Sequence, residues 1–338
     1  MVKFYKNLLP HAALFRMLSQ RGSYDQIGII HMISRYEFEI LAYVERCGSA
    51  ADSVRETANE LCLSWSAVET AIDRLKSLSC LISDGERLSL TEDGLAALSP
   101  FQVRRAVILA AGFGSRMMPA TAERPKPMVE VAGVRIIDTL LDALVGAGIR
   151  EITIIGGYRF ETLKELLVKY PFLHLIENTD YASANNISSA VLARDALHGG
   201  CYLCEADLLI ANPRIITKYQ YASNILGSYS METDDWSFKM VDGCVADYRK
   251  GNTYCYNYYG ISFWSAEDCE KLNRDFAEVY ARPDGKDYFW EFVPFVLKKE
   301  NYQVEIRPCS KRDIVEIDNY SELAQLDGRY REKEEDKP

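Results

Sequence analysis

The feature that most constrains this chain is the stretch RAVILAAGFGSRMMPATAERPKPMVEVAGVRII at residues 105–137. Its apolar beginning predicts a buried parallel strand over 106–109, which breaks into a glycine loop at 110–116. Such a loop exposes backbone N–H groups that can face a polyphosphate. Arg116 and Lys126 add two cations, which suit a triphosphate and poorly suit a neutral ligand. The stretch therefore predicts a nucleotide site.

Two common phosphate-binding patterns do not apply to this loop, because it matches neither G-x-x-x-x-G-K-[ST] nor G-x-G-x-x-G. The complete string instead resembles the nucleotidyltransferases that make NDP-sugars and CDP-alcohols, whose motif reads LAAG-x-G-x-R followed by P-K-P. The resemblance implies a Rossmann-like, GT-A-like α/β fold with a mixed sheet flanked by helices. It also implies that Arg116 and Lys126 are catalytic. The implied nucleotide-binding residues of the loop are Leu109, Ala110, Ala111, Gly112, Gly114 and Ser115.

The pattern of the chain changes near Ser99-Pro100, and 338 residues leave room for two domains. Before that point, three helices are predicted, followed by a hairpin around Asp84-Gly85. This order resembles the winged helix-turn-helix of MarR-like regulators over 31–100, preceded by a helical extension over 1–30. After it, strand-like runs alternate with helical runs at 136–147, 160–169 and 187–196, then short aromatic-rich strands follow. We expect the nucleotidyltransferase domain over 104–327 and a disordered tail over 328–338.

The charge of the winged-helix region bears on its role. Residues 31–100 hold six Arg/Lys against twelve Asp/Glu, a net charge of −6. Neutralisation of phosphates supplies most non-specific affinity for DNA, and this region lacks the charge to provide it. We therefore favour a regulatory or protein-interaction module over DNA binding, which stays the alternative.

Composition excludes several classes of protein. The net charge of −10 disfavours binding to nucleic acid or anionic membranes, and no apolar run is long enough to predict a membrane span. The N-terminus has no signal-peptide pattern. Nine cysteines, an odd number, indicate reduced thiols and a cytoplasmic protein rather than a disulfide framework. The single C-x-x-C pair, Cys201 and Cys204, is better explained by a core strand than by zinc or redox chemistry.

Carboxylates follow the predicted strand at 201–204. Strand ends of this kind face the ligand crevice of α/β proteins, and Mg²⁺ prefers carboxylate and phosphate oxygens. The family resemblance gives Asp207 a metal role, with Asp318 of the segment Val-Glu-Ile-Asp as the second ligand, while the role of Glu205 stays open. Asp318 alone would also suit a helix cap.

Three further residues are implied to bind the nucleotide. The family carries a Gly-Tyr segment near the base, which matches Gly157 and Tyr158. Asn185 precedes a predicted helix and can bond a base or ribose, or simply cap the helix.

The residues between 229 and 290 are rich in aromatic side chains. Core strands account for many of them, but aromatic faces with a neighbouring carboxylate also suit a quaternary ammonium. The acceptor candidates on this reasoning are Asp235, Trp236, Trp290 and Glu291.

The order of GFGSRMMPATAERPKPMVEV, NNISSA, EADLLI, DDWSF, YYGISFW, YFWEFV and EID resembles bacterial choline-phosphate cytidylyltransferases of the lic-operon type over 104–327. The resemblance implies Mg²⁺-dependent transfer of CMP from CTP to phosphocholine, with small-molecule partners and a possible homodimer. Two places depart from the family pattern, the segment 133–137, which lacks a lysine and a proline of that pattern, and Glu291, where the family carries Asp. The alternatives are aminoethylphosphonate, another alcohol phosphate or a sugar 1-phosphate as acceptor, or a winged-helix transcription regulator that senses a nucleotide.

Overall fold

A computed structural model describes residues 33–48, 54–84 and 87–331. The chain divides into two compact units, Met1–Pro100 and Phe101–Pro338. The predicted helical extension over 1–30 lies outside the described residues. No helix in the described ranges is both long and apolar enough to cross a membrane.

The first unit contains the predicted three helices and hairpin. Helix α1 begins in a capping box formed by Ser34 and Glu37, and the Ser64 hydroxyl caps α3. One face of α3 is buried, as its spacing of apolar residues predicts. The assignment of residues 31–100 as a winged helix-turn-helix domain stays a prediction. The elements are α1 (Arg35–Cys47), α2 (Val54–Glu60), α3 (Trp65–Ser77), the antiparallel strands β1 (Leu81–Asp84) and β2 (Arg87–Leu90), and α4 (Glu92–Leu98).

The second unit is the expected mixed α/β sheet flanked by helices. Its seven-stranded sheet consists of β3 (Arg105–Ala110), β6 (Glu151–Gly156), β7 (His174–Glu177), β8 (Cys201–Glu205), β10 (Asn224–Val241), β11 (Cys244–Trp264) and β12 (Glu305–Pro308). Their order across the sheet is β10-β12-β11-β8-β3-β6-β7. Two small pairs join β4 (Glu130–Val131) to β5 (Val134–Arg135), and β9 (Leu208–Ile210) to β13 (Ile314–Glu316). The helices are α5 (Ile136–Gly146), α6 (Phe160–Leu163), α7 (Leu166–Lys169), α8 (Ile187–Leu192), α9 (Ala266–Tyr280) and α10 (Tyr320–Leu326).

The centre of the sheet positions the functional residues. Strand β3 runs parallel to both β6 and β8, so the carboxyl ends of all three meet at one edge. Side chains of β3 are buried on both faces, with Ile108 in one hydrophobic cluster and Val107 and Leu109 in the other. A strand buried on both sides is what the continuous apolar run predicts.

Three details differ from the sequence prediction. The helix expected over 160–169 breaks in the middle, because the amides of Lys164 and Glu165 bond three residues back rather than four. The region after Asp207 holds two long, bulged strands, β10 and β11, instead of only short ones. The tail predicted to be disordered from 328 begins with an ordered turn, in which the Tyr330 hydroxyl donates to the carbonyl of Glu130.

Candidate active site

The glycine loop leaves β3 and folds back against Lys126. Gly114 has a φ of 61°, and a Cβ there would lie 3.0 Å from the Cβ of Lys126, so only glycine fits without strain. The Thr121 hydroxyl donates to the Gly114 carbonyl at 2.9 Å. The loop and the P-K-P segment are therefore one packed unit, although about ten residues separate them.

Lys126 begins a short turn, Lys126–Met128, and lies between Pro125 and Pro127. Its ammonium lies 2.8 Å from an Asp207 carboxylate oxygen and 3.3 Å from one of Asp318. The Arg116 guanidinium makes a two-pronged contact with the same Asp318, at 3.2 and 3.3 Å. Lys126 thus contacts both predicted metal carboxylates, and Arg116 contacts one of them, Asp318.

A third carboxylate completes this group. Strand β13 pairs with β9 so that Glu316 lies opposite Leu208, the residue after Asp207. Carboxylate oxygens of Asp207, Glu316 and Asp318 all lie within 4.8 Å of one another. Burial, with the charges of Asp207 and Asp318, raises the pKa of Glu316 to about 8. Burial lowers the pKa of Lys126, but the contact with Asp207 outweighs it and leaves that pKa above its ordinary value.

This carboxylate cluster fits a hard divalent cation. All three residues offer oxygen, the ligand atom that Mg²⁺ prefers. Within the described residues, no donor reaches the buried Oδ1 of Asp207. Asp318 is not the helix cap that the sequence left as an alternative, because the Asn319 side chain accepts from the Glu322 amide at the start of α10. The three carboxylates could therefore hold Mg²⁺.

Glu205 faces a different neighbour. It is not part of the carboxylate cluster but lies against Glu291, and burial followed by the charge of Glu291 raises its pKa well above the usual value. Burial also raises the pKa of Glu291, which accepts a hydrogen bond from the Tyr258 hydroxyl at 2.9 Å. The side-chain amide of Asn186 donates a long hydrogen bond, 3.5 Å, to a carboxylate oxygen of Glu205. Two carboxyl groups in contact require a proton or a cation between them.

These groups line one cleft of about 580 Å³. Trp236 forms part of its wall and stacks on Tyr248, with ring centroids 4.9 Å apart and planes 19° apart. The Asn185 side chain also reaches the cleft, and its amide is held by the Asp287 carbonyl at 3.2 Å. The predicted residues that line the cleft are Leu109, Ala110, Ala111, Gly112, Gly114, Ser115, Arg116, Lys126, Asn185, Asp207, Asp235, Trp236, Glu291 and Asp318.

Trp290 does not line the cleft, which corrects the sequence-based placement. Its side chain is fully buried and meets Trp264 and Phe276 edge to face, with both centroid distances at 6.3 Å. Its backbone amide donates to the Asn186 side chain at 2.8 Å. Trp290 is thus a core residue that sets the position of Glu291.

Gly157 and Tyr158 also lie outside the cleft lining. A Cβ on Gly157 would come within 2.7 Å of the Ala111 carbonyl, which explains the glycine. The Tyr158 amide donates to that same carbonyl at 3.1 Å, and its hydroxyl reaches the Ala122 carbonyl at 2.9 Å. The pair contacts the glycine loop at Ala111 and does not line the cleft, so its expected contact with the nucleotide stays a prediction.

Comparison with known proteins agrees with this geometry. The Nucleotidyl transferase family model matches residues 105–196. The 2-aminoethylphosphonate cytidylyltransferase of Lancefieldella rimae is 37% identical over 228 residues, which cover 67% of this chain and 92% of the relative. The chain belongs to the nucleotidyltransferase family. Choline-phosphate cytidylyltransferase of Streptococcus pneumoniae is 29% identical over 66% of this chain and 96% of its own length.

A solved structure supports the fold of this nucleotidyltransferase. CTP:phosphocholine cytidylyltransferase from Streptococcus pneumoniae superposes with a TM-score of 0.62 at 27% identity. The match covers 68% of this chain and 99% of that one. The part that matches is large enough to hold the whole cleft and its carboxylate cluster.

Glu316 and Lys250 are charged residues of the cleft that the sequence reasoning missed. Glu316 lies two positions before Asp318 at the end of a strand, and this spacing places both on one side, which was a usable signal. Lys250 lines the cleft because it lies opposite Trp236 in the β10–β11 register. That register contains several bulges, so nothing in the sequence pointed to Lys250.

Proposed function

We propose that this nucleotidyltransferase transfers CMP from CTP to a small phosphonate or phosphate that carries an amine, with 2-aminoethylphosphonate as the first candidate. The observation that carries the proposal is that one cleft combines groups suited to a polyphosphate with groups suited to an ammonium. Lys126, Arg116 and the carboxylate cluster suit a triphosphate with its metal, whereas Glu205 and Glu291, which line the same cleft as Trp236, suit an ammonium.

The reaction needs no protein nucleophile. An oxygen of the acceptor's phosphonate attacks the α-phosphorus of CTP in line, the new P–O bond forms as the bond to pyrophosphate breaks, and pyrophosphate leaves. Positioning and charge stabilisation then account for catalysis. In this scheme Arg116 holds the β- and γ-phosphates, and Lys126 neutralises the α-phosphate and the attacking group. Mg²⁺ held by Asp207, Glu316 and Asp318 would screen the repulsion between the two anionic substrates.

The contact between Glu205 and Glu291 favours a primary ammonium. A primary ammonium has three N–H donors that can bond both carboxylates, whereas a trimethylammonium has none. Within the described residues, no donor reaches Oε2 of Glu291. Lys250, a cation on the same wall as Trp236, is placed to attract the phosphonate of the acceptor.

Phosphocholine is the second candidate, and the aromatic wall supports it. Trp236 stacks on Tyr248 and meets Phe292 edge to face at 5.5 Å, so its ring is held firmly in place. A fixed indole face attracts a quaternary ammonium through cation–π interaction. The choline-phosphate cytidylyltransferase named above matches this chain over 96% of that enzyme's own length.

A pyrophosphate-release assay tests the proposal. It crosses the four NTPs with 2-aminoethylphosphonate, phosphoethanolamine, phosphocholine and glucose 1-phosphate. We expect CTP to be the preferred nucleotide and 2-aminoethylphosphonate to give the highest kcat/KM. A preference for phosphocholine would move the acceptor to the second candidate, and a preference for glucose 1-phosphate would refute an amine-bearing acceptor.

A variant tests the role of the carboxyl pair. Glu291→Gln should raise the KM for 2-aminoethylphosphonate at least about tenfold, because it removes a charge-assisted hydrogen bond, while the KM for CTP stays within about twofold. Glu300→Gln is the matched control, since Glu300 is exposed and lies outside the cleft lining. Equal KM values for the acceptor in all three proteins would contradict an ammonium site at Glu291.

A further inference from the structure

Phe113 has an unusual position for a large apolar residue. It lies between the two glycines of the loop, lines the cleft and is 46% exposed. Its ring centroid lies 5.0 Å from that of Tyr181 and 5.6 Å from that of Tyr158. The ring is half exposed and packs into none of the three hydrophobic clusters seen in the described part of the second unit, so its burial contributes little to that core.

Tyr181 is held in place by its own segment. The Asn178 amide donates to the Gly156 carbonyl at the end of β6. The Asn178 side chain donates to the hydroxyls of Ser188 and Ser189, each at 2.9 Å, and accepts from the Asp180 amide. The Tyr181 ring also packs where a Gly157 side chain would otherwise be. One of the two rings is thus fixed, and the other is carried by the glycine loop.

The residues that the segment around Tyr181 contributes to the cleft lining carry no charge. The residues that the segment 178–189 contributes to the cleft are Asn178, Tyr181, Ala184, Asn185, Asn186, Ser188 and Ser189. The charged residues of the cleft lining come from other segments, namely Arg116, Lys126, Glu205, Asp207, Asp235, Lys250, Glu291, Glu316 and Asp318. A nucleoside triphosphate has the same division, since its phosphates are anionic and its base is neutral. The triphosphate fits the charged segments, which leaves the neutral wall for the nucleoside.

We propose that Phe113 and Tyr181 form the stacking surface for the base of the bound nucleotide, and that Phe113 thereby couples base binding to the position of the glycine loop. The assignment rests on the nucleotide-transfer function proposed above. Stacking of a base on an aromatic side chain tolerates different bases, because every base has a π face. The two rings therefore set nucleotide affinity, and discrimination between CTP and UTP lies with other groups.

Binding of CTP, measured by calorimetry with Mg²⁺ in the full-length protein, tests the proposal separately from turnover. Phe113→Leu and Tyr181→Leu keep apolar bulk and remove the ring, so each should raise the Kd for CTP about tenfold or more. Tyr181→Phe keeps the ring and should bind CTP within about twofold of the wild type. The ratio of the Kd values for CTP and UTP should not change in any variant.

Inorganic tripolyphosphate is the control ligand, because it has the phosphates of CTP but no base. Its inhibition constant should be the same in wild type and in Phe113→Leu. An equal loss of CTP and tripolyphosphate binding would mean that Phe113 only shapes the loop, and it would overturn the proposal. Unchanged CTP binding in both leucine variants would overturn it as well. Failure of wild-type protein to bind any NTP would instead refute the proposed function.

Discussion

Replacement of Lys126 gives the sharpest test of the catalytic arrangement. Lys126 is the most buried cation of the cleft lining, and its ammonium contacts two of the three clustered carboxylates. Lys126→Met keeps the aliphatic stem and removes the charge. We expect kcat to fall at least about a hundredfold, since the variant loses a preorganised charge that stabilises the transition state.

The structure also predicts a stability effect. The side chains of Lys126, Asp207 and Asp318 are 11%, 25% and 27% exposed, so solvent screens their interaction only in part. Removal of one partner from a buried pair costs about 3 kcal/mol, at the lower end for such changes. For a domain of this size, that loss lowers Tm by roughly 6–12 °C. Mg²⁺ should restore much of it, because a cation bound by the carboxylate cluster replaces the missing charge.

The assay combines pyrophosphate release with thermal unfolding at zero and saturating Mg²⁺. Lys126→Arg is the matched control, since it keeps the charge and should keep most of the stability. Turnover of Lys126→Met within about tenfold of the wild type would refute its role in transition-state stabilisation. An equal Mg²⁺ effect on the Tm of the wild type and of Lys126→Met would refute the link between Lys126 and the carboxylate cluster.

Three other predictions follow from particular residues. Glu316→Gln should raise the Mg²⁺ concentration for half-maximal activity about tenfold or more, and an unchanged Mg²⁺ titration would remove Glu316 from the metal site. Trp236→Ala should raise the KM for phosphocholine up to about thirtyfold and leave the KM for CTP unchanged, whereas Trp290→Phe should lower Tm and affect both substrates equally. The full-length protein should bind duplex DNA only weakly, and a salt-sensitive nanomolar complex in a gel-shift titration would contradict the argument from a net charge of −6 over residues 31–100.

The sequence predicted those parts of the site that depend on neighbours along the chain. The apolar run before the glycine loop predicts β3, and the strand end at Asp207 predicts a carboxylate at the sheet edge. Lys126 follows from the same reasoning, because the P-K-P turn is close in sequence to the loop that it packs against. Local periodicity and short spacings are sufficient for features of this kind.

Residues whose position depends on distant contacts could not be predicted in this way. Trp290 lies in an aromatic-rich segment next to a carboxylate, which suits an aromatic cage. Only the packing of Trp264 and Phe276 around it shows that the ring points into the core. Tyr158 follows a strand end and suggests a base contact, yet its hydroxyl bonds the carbonyl of Ala122. Sequence pattern gives the type of side chain at a sheet edge, whereas the direction of that side chain is decided by tertiary packing.

The two halves of the cleft come from different parts of the fold, and this separation has a chemical consequence. Lys126, Asp207 and Glu316 are held by the glycine-loop unit, β8 and the β9–β13 pair. Trp236 and Lys250 belong to the long β10–β11 hairpin. In the proposed function, substitutions on that hairpin would therefore alter the acceptor wall without moving the groups that act on the triphosphate. In the proposed function, the choice of acceptor therefore rests on that hairpin together with Glu205 and Glu291, and not on the glycine loop.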